Sequence, residues 1–243
     1  MRVGEIIEPA AEIASLMSWW HEAGIDTFVN DAPRDWLAPP ARPAAAVRTQ
    51  PPAPTAAPAG LPATLPEFHE WLRTSSAIPV PETLRIAPAG DITSGLMMLI
   101  DQPEADDADA GQIMAGKIGR LFDRMLAAIG RDRASIYLAA MAPGRPAGGY
   151  IDAAMAAQFT RIARHQVALA RPRALLLMGE APSRALLDLG FVEARGRVHE
   201  IDLDGTSVRA IATFHPRTLI QHPAQKARAW SDLQLLMKTL ETR

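Results

Sequence analysis

Three short apolar runs, Leu96 to Ile100, Ser135 to Ala140 and Ala174 to Met178, recur at intervals wide enough for one helix each. This recurrence limits the chain more than any other feature. Runs without polar alternation fit strands covered on both faces, and strands separated by helical segments fit a parallel sheet between helix layers. The first run stops at Asp101-Gln102-Pro103. An acidic loop then leads through Gly111 into a predicted helix that carries Leu121, Phe122, Met125, Leu126 and Ile129 on one face and ends at Gly130. Ligands of open α/β sheets bind beyond the carboxyl ends of the strands, so a polar pair at that place marks a candidate site.

The segments between the runs complete the pattern. Thr64 and Glu67 have the spacing of a capping box for a helix through Leu72. A helix is predicted over Ile151 to Ala170 and another from Gly179 through Leu189. Val198 to Leu203 and Ser207 to Thr213 read as a hairpin with an Asp204-Gly205 turn, whose second arm is the fourth strand. The last helix covers Ala224 to Leu240. The expected fold is a three-layer α/β/α domain with a central, mainly parallel, four-stranded sheet over 64–243. Ahead of it lie an amphipathic helical segment in 1–37, with Trp19, Trp20 and Trp36 as docking residues, and an Ala/Pro-rich linker over 38–63.

With 243 residues, 48% of them hydrophobic, the chain can bury a core. No run spans a bilayer, and the acidic, interrupted start does not read as a signal peptide, so a soluble, cytoplasmic monomer is expected, without a membrane partner. The absence of cysteine excludes disulfides, a thiolate nucleophile and cysteine-ligated metal centres. The net charge of −2 is unevenly spread: 101–109 is acidic, whereas the last third carries Arg161, Arg164, Arg184, Arg217, Lys226 and Arg228. Such a face suits a polyanion or, equally simply, solvated helix surfaces. The acidic stretch lacks an ordered ligand spacing and reads as a solvated loop, which would repel DNA unless it folded away.

If the four strands are parallel, Asp101 and His215 meet at one rim despite the sequence between them. The residues around His215 carry a further signal. Thr213-Phe214-His215-Pro216-Arg217-Thr218-Leu219, followed by Pro223-Ala224, Lys226 and Ala229-Trp230, resembles the carboxyl-terminal signature of the uracil-DNA glycosylase superfamily, in particular its iron–sulfur family-four branch. Gly119, Leu121 and Asp123 to Leu126 resemble its first helix, Arg145-Pro146 and Gly148 its loop after the second strand, and Arg171-Pro172 with Gly179 its third strand.

The resemblance implies hydrolysis of the N-glycosidic bond of a flipped, deaminated base in DNA. Asp101 stands where the family has its catalytic glutamate and His215 where it has the histidine that donates to the pyrimidine carbonyl. Gln102, Pro103, Met114 and Ala140 fall in the base pocket, Met114 on the stacking phenylalanine and Ala140 on the uracil-reading asparagine. Leu219 falls on the residue that wedges into the duplex, and core packing accounts for it equally well; Arg217 and Lys226 are candidates for holding phosphates. The four cluster cysteines are replaced, two within Ser75 to Pro79 and the others at Gly144 and Phe159, so no metal and no cofactor are expected. Gly179-Glu180-Ala181-Pro182 mimics the family's catalytic tetrapeptide but follows the third strand, where Glu180 reads as structural. A second function fits the same residues: a superfamily member without catalysis, binding DNA or a protein.

Overall fold

The computed structural model describes residues 60–241, Asp204 excepted. All of these belong to one unit of the chain, Thr55–Arg243. The helix predicted before Gly24 and most of the Ala/Pro tract lie outside the described residues.

The elements are α1 (Leu65–Thr74), β1 (Ala89–Gly90), β2 (Leu96–Ile100), α2 (Asp107–Ala110), α3 (Gly116–Ala128), β3 (Tyr137–Ala140), α4 (Ala153–Ala170) and β4 (Ala174–Met178). After these come α5 (Glu180–Leu187), α6 (Phe191–Ala194), β5 (His199–Leu203), β6 (Thr206–Thr213), α7 (Pro216–Gln221) and α8 (Lys226–Glu241). The sheet order is β1-β3-β2-β4-β6-β5. Its centre is the expected parallel set β3, β2, β4 and β6. The sheet nevertheless has six strands, because antiparallel β1 and β5 extend its two edges.

Side-chain parity along the strands builds the three layers. Met97, Leu99, Leu175, Leu177, Val208 and Ala210 pack against Phe68 and Leu72 of α1, Phe159, Ile162 and Val167 of α4, and Leu186 of α5. The alternate residues Leu96, Met98, Ile100, Leu176, Met178 and Ile211 pack against Phe122 and Leu126 of α3 and Leu233 and Leu236 of α8. Both faces are therefore dry, which explains strands without polar alternation. β5 has one covered face, and its burial alternates accordingly between Glu200 or Asp202 outside and Ile201 or Leu203 inside.

Several expected boundaries shift for physical reasons. Thr64 makes no side-chain bond to the α1 backbone; its hydroxyl donates to Glu67 Oε2 instead (2.8 Å). The helix expected from Gly111 starts at Gly116, because Gly111 and Met114 both take left-handed backbone (φ +65° and +56°) and interrupt it. The helix after Gly179 stops at Leu187, where Asp188 is left-handed. Asp152 caps α4 by accepting the Met155 N–H at 2.8 Å.

Candidate active site

β2 and β6 deliver the two candidate catalytic side chains to one rim. The β2–β3 ladder continues past both strands: Met141 N–H donates to Ile100 O (2.9 Å) and Ala142 N–H to Asp101 O (3.0 Å), which fixes the Asp101 backbone. On the other side, Gly179 N–H donates to Thr213 O (2.8 Å), two residues before His215. Gly179 has φ +107°, a backbone conformation that calls for glycine, whereas a Cβ there would make only an ordinary contact 3.6 Å from His215 Cβ; the turn at the end of β4, not lack of space, requires glycine beside the imidazole. Thr213 is anchored in turn: Asp232 of α8 accepts from its hydroxyl (3.0 Å) and from Arg195 (2.7 and 3.0 Å).

His215 is 5% exposed and caps α7, its Nδ1 accepting the Arg217 N–H at 3.1 Å. Burial, assisted by the Arg217 charge, lowers its pKa to about 4, against the opposing pull of Asp101 and Asp107. The ring is therefore neutral at pH 7. Because Nδ1 is an acceptor, the proton sits on Nε2, and this buried N–H has no hydrogen-bond partner.

Asp101 acts on that ring electrostatically. Its Oδ2 lies 3.8 Å from Arg217 Nη1, and its Oδ1 is buried without a partner. Arg217 donates from Nε to Glu104 Oε1 (2.8 Å), and its Nη2 lies 2.7 Å from the same oxygen as an ion-pair contact without hydrogen-bond alignment. Glu104 Oε1 is 3.9 Å from His215 Nδ1, too far for a hydrogen bond. One carboxylate on each side thus engages the Arg217 guanidinium, which faces inward; its charge is already in use within the protein.

The acidic loop is not the solvated loop expected. Asp107 is fully buried and ties the loop together, Oδ2 accepting from Glu104 N–H and Met114 N–H (both 2.8 Å) and Oδ1 from Ala115 N–H (2.6 Å). Only Asp106 and Asp109 face solvent among the acids after Glu104. Sequence reasoning missed both Glu104 and Asp107, since no spacing distinguishes an acid that folds inward from its solvated neighbours. Among the described residues no group of three metal-ligating side chains is placed to hold a metal ion.

The remaining candidates sort as follows. Gln102 (7% exposed) donates from Nε2 to Gly149 O at 3.3 Å, leaving Oε1 buried and unpartnered. Pro103, next in the chain, is buried, Ala140 is buried at the end of β3 opposite Ile100, and Met114 is wholly enclosed in the core layer of α3, with its carbonyl held by Arg133 (2.6 Å). Leu219 is 1% exposed and packs with Leu121, Phe214 and Ala229, so the core explanation accounts for its side chain. Lys226 is exposed at the lip of an apolar groove with Arg124 and Trp230. Glu180 is exposed and pairs with Arg184 within α5 (2.5 Å). Beside Asp101, on the side of α4 and α5, a cavity of about 480 Å³ is lined by Met141, Ile151, Phe159, Thr160 and Arg184, a size typical of ligand pockets.

The residues present do not fit the iron–sulfur cluster of the family-four branch. The chain has no cysteine, a Cβ on Gly144 would lie 2.4 Å from Leu84 O, and Phe159 fills the core at 1% exposure. Where two of the cysteines would stand, Arg85 gathers the loop instead. Its guanidinium donates to Val80 O (2.7 and 2.9 Å), Ile78 O (3.2 Å), Arg73 O (3.1 Å) and Leu72 O (3.4 Å).

A mixed sheet with a parallel core, helices on both faces, and a buried imidazole and a carboxylate at the carboxyl rim define an α/β domain with a candidate site at the ends of β2 and β6. The model of the uracil DNA glycosylase superfamily matches residues 87–234, more than half of the chain, and the chain belongs to that superfamily. It is similar to the type-4 uracil-DNA glycosylase of Pyrobaculum aerophilum, 20% identical over 185 residues covering 70% of this chain and 92% of the relative. It is also similar to the type-4 uracil-DNA glycosylase of Archaeoglobus fulgidus, 22% identical over 172 residues covering 63% and 80%. Among the described residues no helix is long and apolar enough to cross a membrane.

Proposed function

We propose that the protein is a DNA N-glycosylase that removes a deaminated base flipped out of the strand. Membership of the superfamily supports a uracil-DNA glycosylase-like function, and the names of both relatives point to uracil in DNA. The observation that carries the reading is the pair of unpartnered buried atoms, His215 Nε2 and Asp101 Oδ1, at the carboxyl rim of the sheet. Native folds leave few such atoms, and those that persist call for a functional cause.

In the proposed reaction a water oxygen bonds to the sugar C1′ as the C1′–N bond breaks and its electron pair passes to the base. His215 Nε2–H donates to the base carbonyl on which the charge collects, without a proton being transferred. Asp101 orients the water, offsets positive charge on the sugar and accepts the proton released. Glu104 holds Arg217 beside both groups. The test is chromatographic detection of free base from oligonucleotides carrying uracil, hypoxanthine or xanthine, with purified wild type, Asp101→Asn and His215→Ala. Release by wild type that both substitutions abolish supports the reading; release that both keep discards the site.

A second reading, a non-catalytic module that holds DNA or protein, is favoured by one observation: Met114 offers neither a ring nor an exposed surface, and Ala140 has no polar group for a base edge. Salt-sensitive DNA binding without base release would support it.

A further inference from the structure

The cavity of about 480 Å³ beside Asp101 has no part in the proposed reaction. It also lies across the sheet from Met114 and Ala140, the positions that the superfamily resemblance assigns to the target base. Asp101 continues the parity of Met97 and Leu99, because the ladder runs on past β2 (Ala142 N–H to Asp101 O, 3.0 Å). Met97, Leu99, Met141 and Phe159 pack in the layer of α1 and α4. Met114 and Ala140 pack in the opposite layer, with α3 and α8. The two places are therefore distinct, and Asp101 of the candidate pair lines the cavity.

The wall restricts what the cavity can hold. Ile151, Phe159 and Ala181 make it apolar, and groups of both charges interrupt it: Asp101 and Asp188 accept, Arg164 and Arg184 donate. Asp101 Oδ1 is buried without a partner. Arg164 spends one of its five N–H groups on Ala185 O (3.5 Å), and Arg184 pairs with exposed Glu180 (2.5 Å). Two carboxylates oppose a phosphate, and two guanidiniums oppose a bare cation. An alkyl ligand would leave all four groups unpaired. An uncharged ring with apolar faces, and with donors and acceptors on its edge, meets every part of this wall. That is the chemistry of a nucleobase.

We propose that this cavity seats the base of the nucleotide adjoining the target in the same strand. The assignment rests on the glycosylase reading for the place of the target: Asp101 faces the target sugar and is also part of the cavity wall, so a base seated there belongs to the next nucleotide. The two successive bases then lie on opposite sides of the sheet. They are unstacked from each other and neither keeps a complement, so the site calls for single-stranded DNA.

The test uses the full chain and single-stranded oligonucleotides carrying one uracil, in which each neighbouring nucleotide in turn is replaced by a tetrahydrofuran residue without a base. Affinity is read by fluorescence anisotropy and uracil release by chromatography. Wild type is expected to bind about tenfold more weakly when the base is missing at one adjoining position, and to change by less than about twofold at positions further away. Ala156→Trp and Ala181→Trp fill the cavity from exposed positions on α4 and α5 and should leave the melting temperature unchanged. Each should bind the intact strand about tenfold more weakly and be indifferent to the missing base. No position at which the missing base matters, or a loss that both filled variants retain, overturns the proposal. Free thymidine or deoxyadenosine bound by wild type and not by the filled variants, with no effect of the missing base, assigns the cavity to a free nucleoside and overturns it too. Dependence on the adjoining base without uracil release keeps the seat and removes the glycosylase reading. Uracil release without that dependence does the reverse.

Discussion

Arg217 and Glu104, 113 positions apart, are joined at 2.8 Å directly beside His215. This pair sets which way the Arg217 guanidinium faces beside Asp101, and half-burial makes it stronger than a surface ion pair. Glu104→Gln should free Arg217 to move onto Asp101, now 3.8 Å away, and lower kcat by about tenfold or more. Arg217→Met in the same background should then cost little further. A double-mutant cycle of single-turnover rates checks this, with an interaction energy of roughly 1–3 kcal/mol; additive losses would show the two residues to be independent.

Neutral His215 makes a prediction about pH. Its folded pKa is about 4, against an ordinary value of 6.5. Activity should therefore show no inflection near pH 6.5 from this group, and ring NMR resonances should titrate only toward pH 4. The stability consequence has a definite sign. Above pH 6.5 the ring is neutral in both states and contributes no pH dependence; as pH falls from 6.5 toward about 4 the unfolded chain takes up a proton that the folded chain refuses, so stability is lost. Denaturation at pH 5 and pH 7.5 should show a smaller loss in His215→Asn than in wild type.

Arg85 predicts independence from iron. Arg85→Met should cost roughly 2–4 kcal/mol in chemical denaturation, because four backbone carbonyls lose a charged donor. Arg85→Lys should recover little, since an ammonium cannot reproduce the fork. Chelators and iron supplementation should leave the melting temperature unchanged.

Leu219 separates packing from a duplex wedge. Leu219→Ala should destabilise the fold by about 2–4 kcal/mol, as for other core leucines. A residue that acted only on DNA would leave denaturation unchanged and alter only the preference for duplex over single strand.

The sequence was legible where one physical rule dominates. Leu96 to Ile100 and Ala174 to Met178 are apolar on both faces because helices cover both, and a continuous run carries that information locally. The rim shared by Asp101 and His215 followed from parallel strands. The edges were less legible: β1 is only the pair Ala89–Gly90, too short for any pattern. Nor does a string of acids reveal that Asp107 turns inward to three backbone N–H groups while Asp106 remains outside, because loop path decides it. Met114 had the same difficulty, its left-handed backbone being set by Asp107 and Arg133 from elsewhere in the chain.

The most direct test is the single-turnover rate of base release from a uracil-bearing single strand by wild type and Asp101→Asn, purified identically from a host lacking its own uracil glycosylase. The predicted result is measurable release by wild type and a loss of at least about a hundredfold in the variant. Equal rates in the two proteins, or none in wild type, would contradict the assignment of Asp101 as the residue that directs the water.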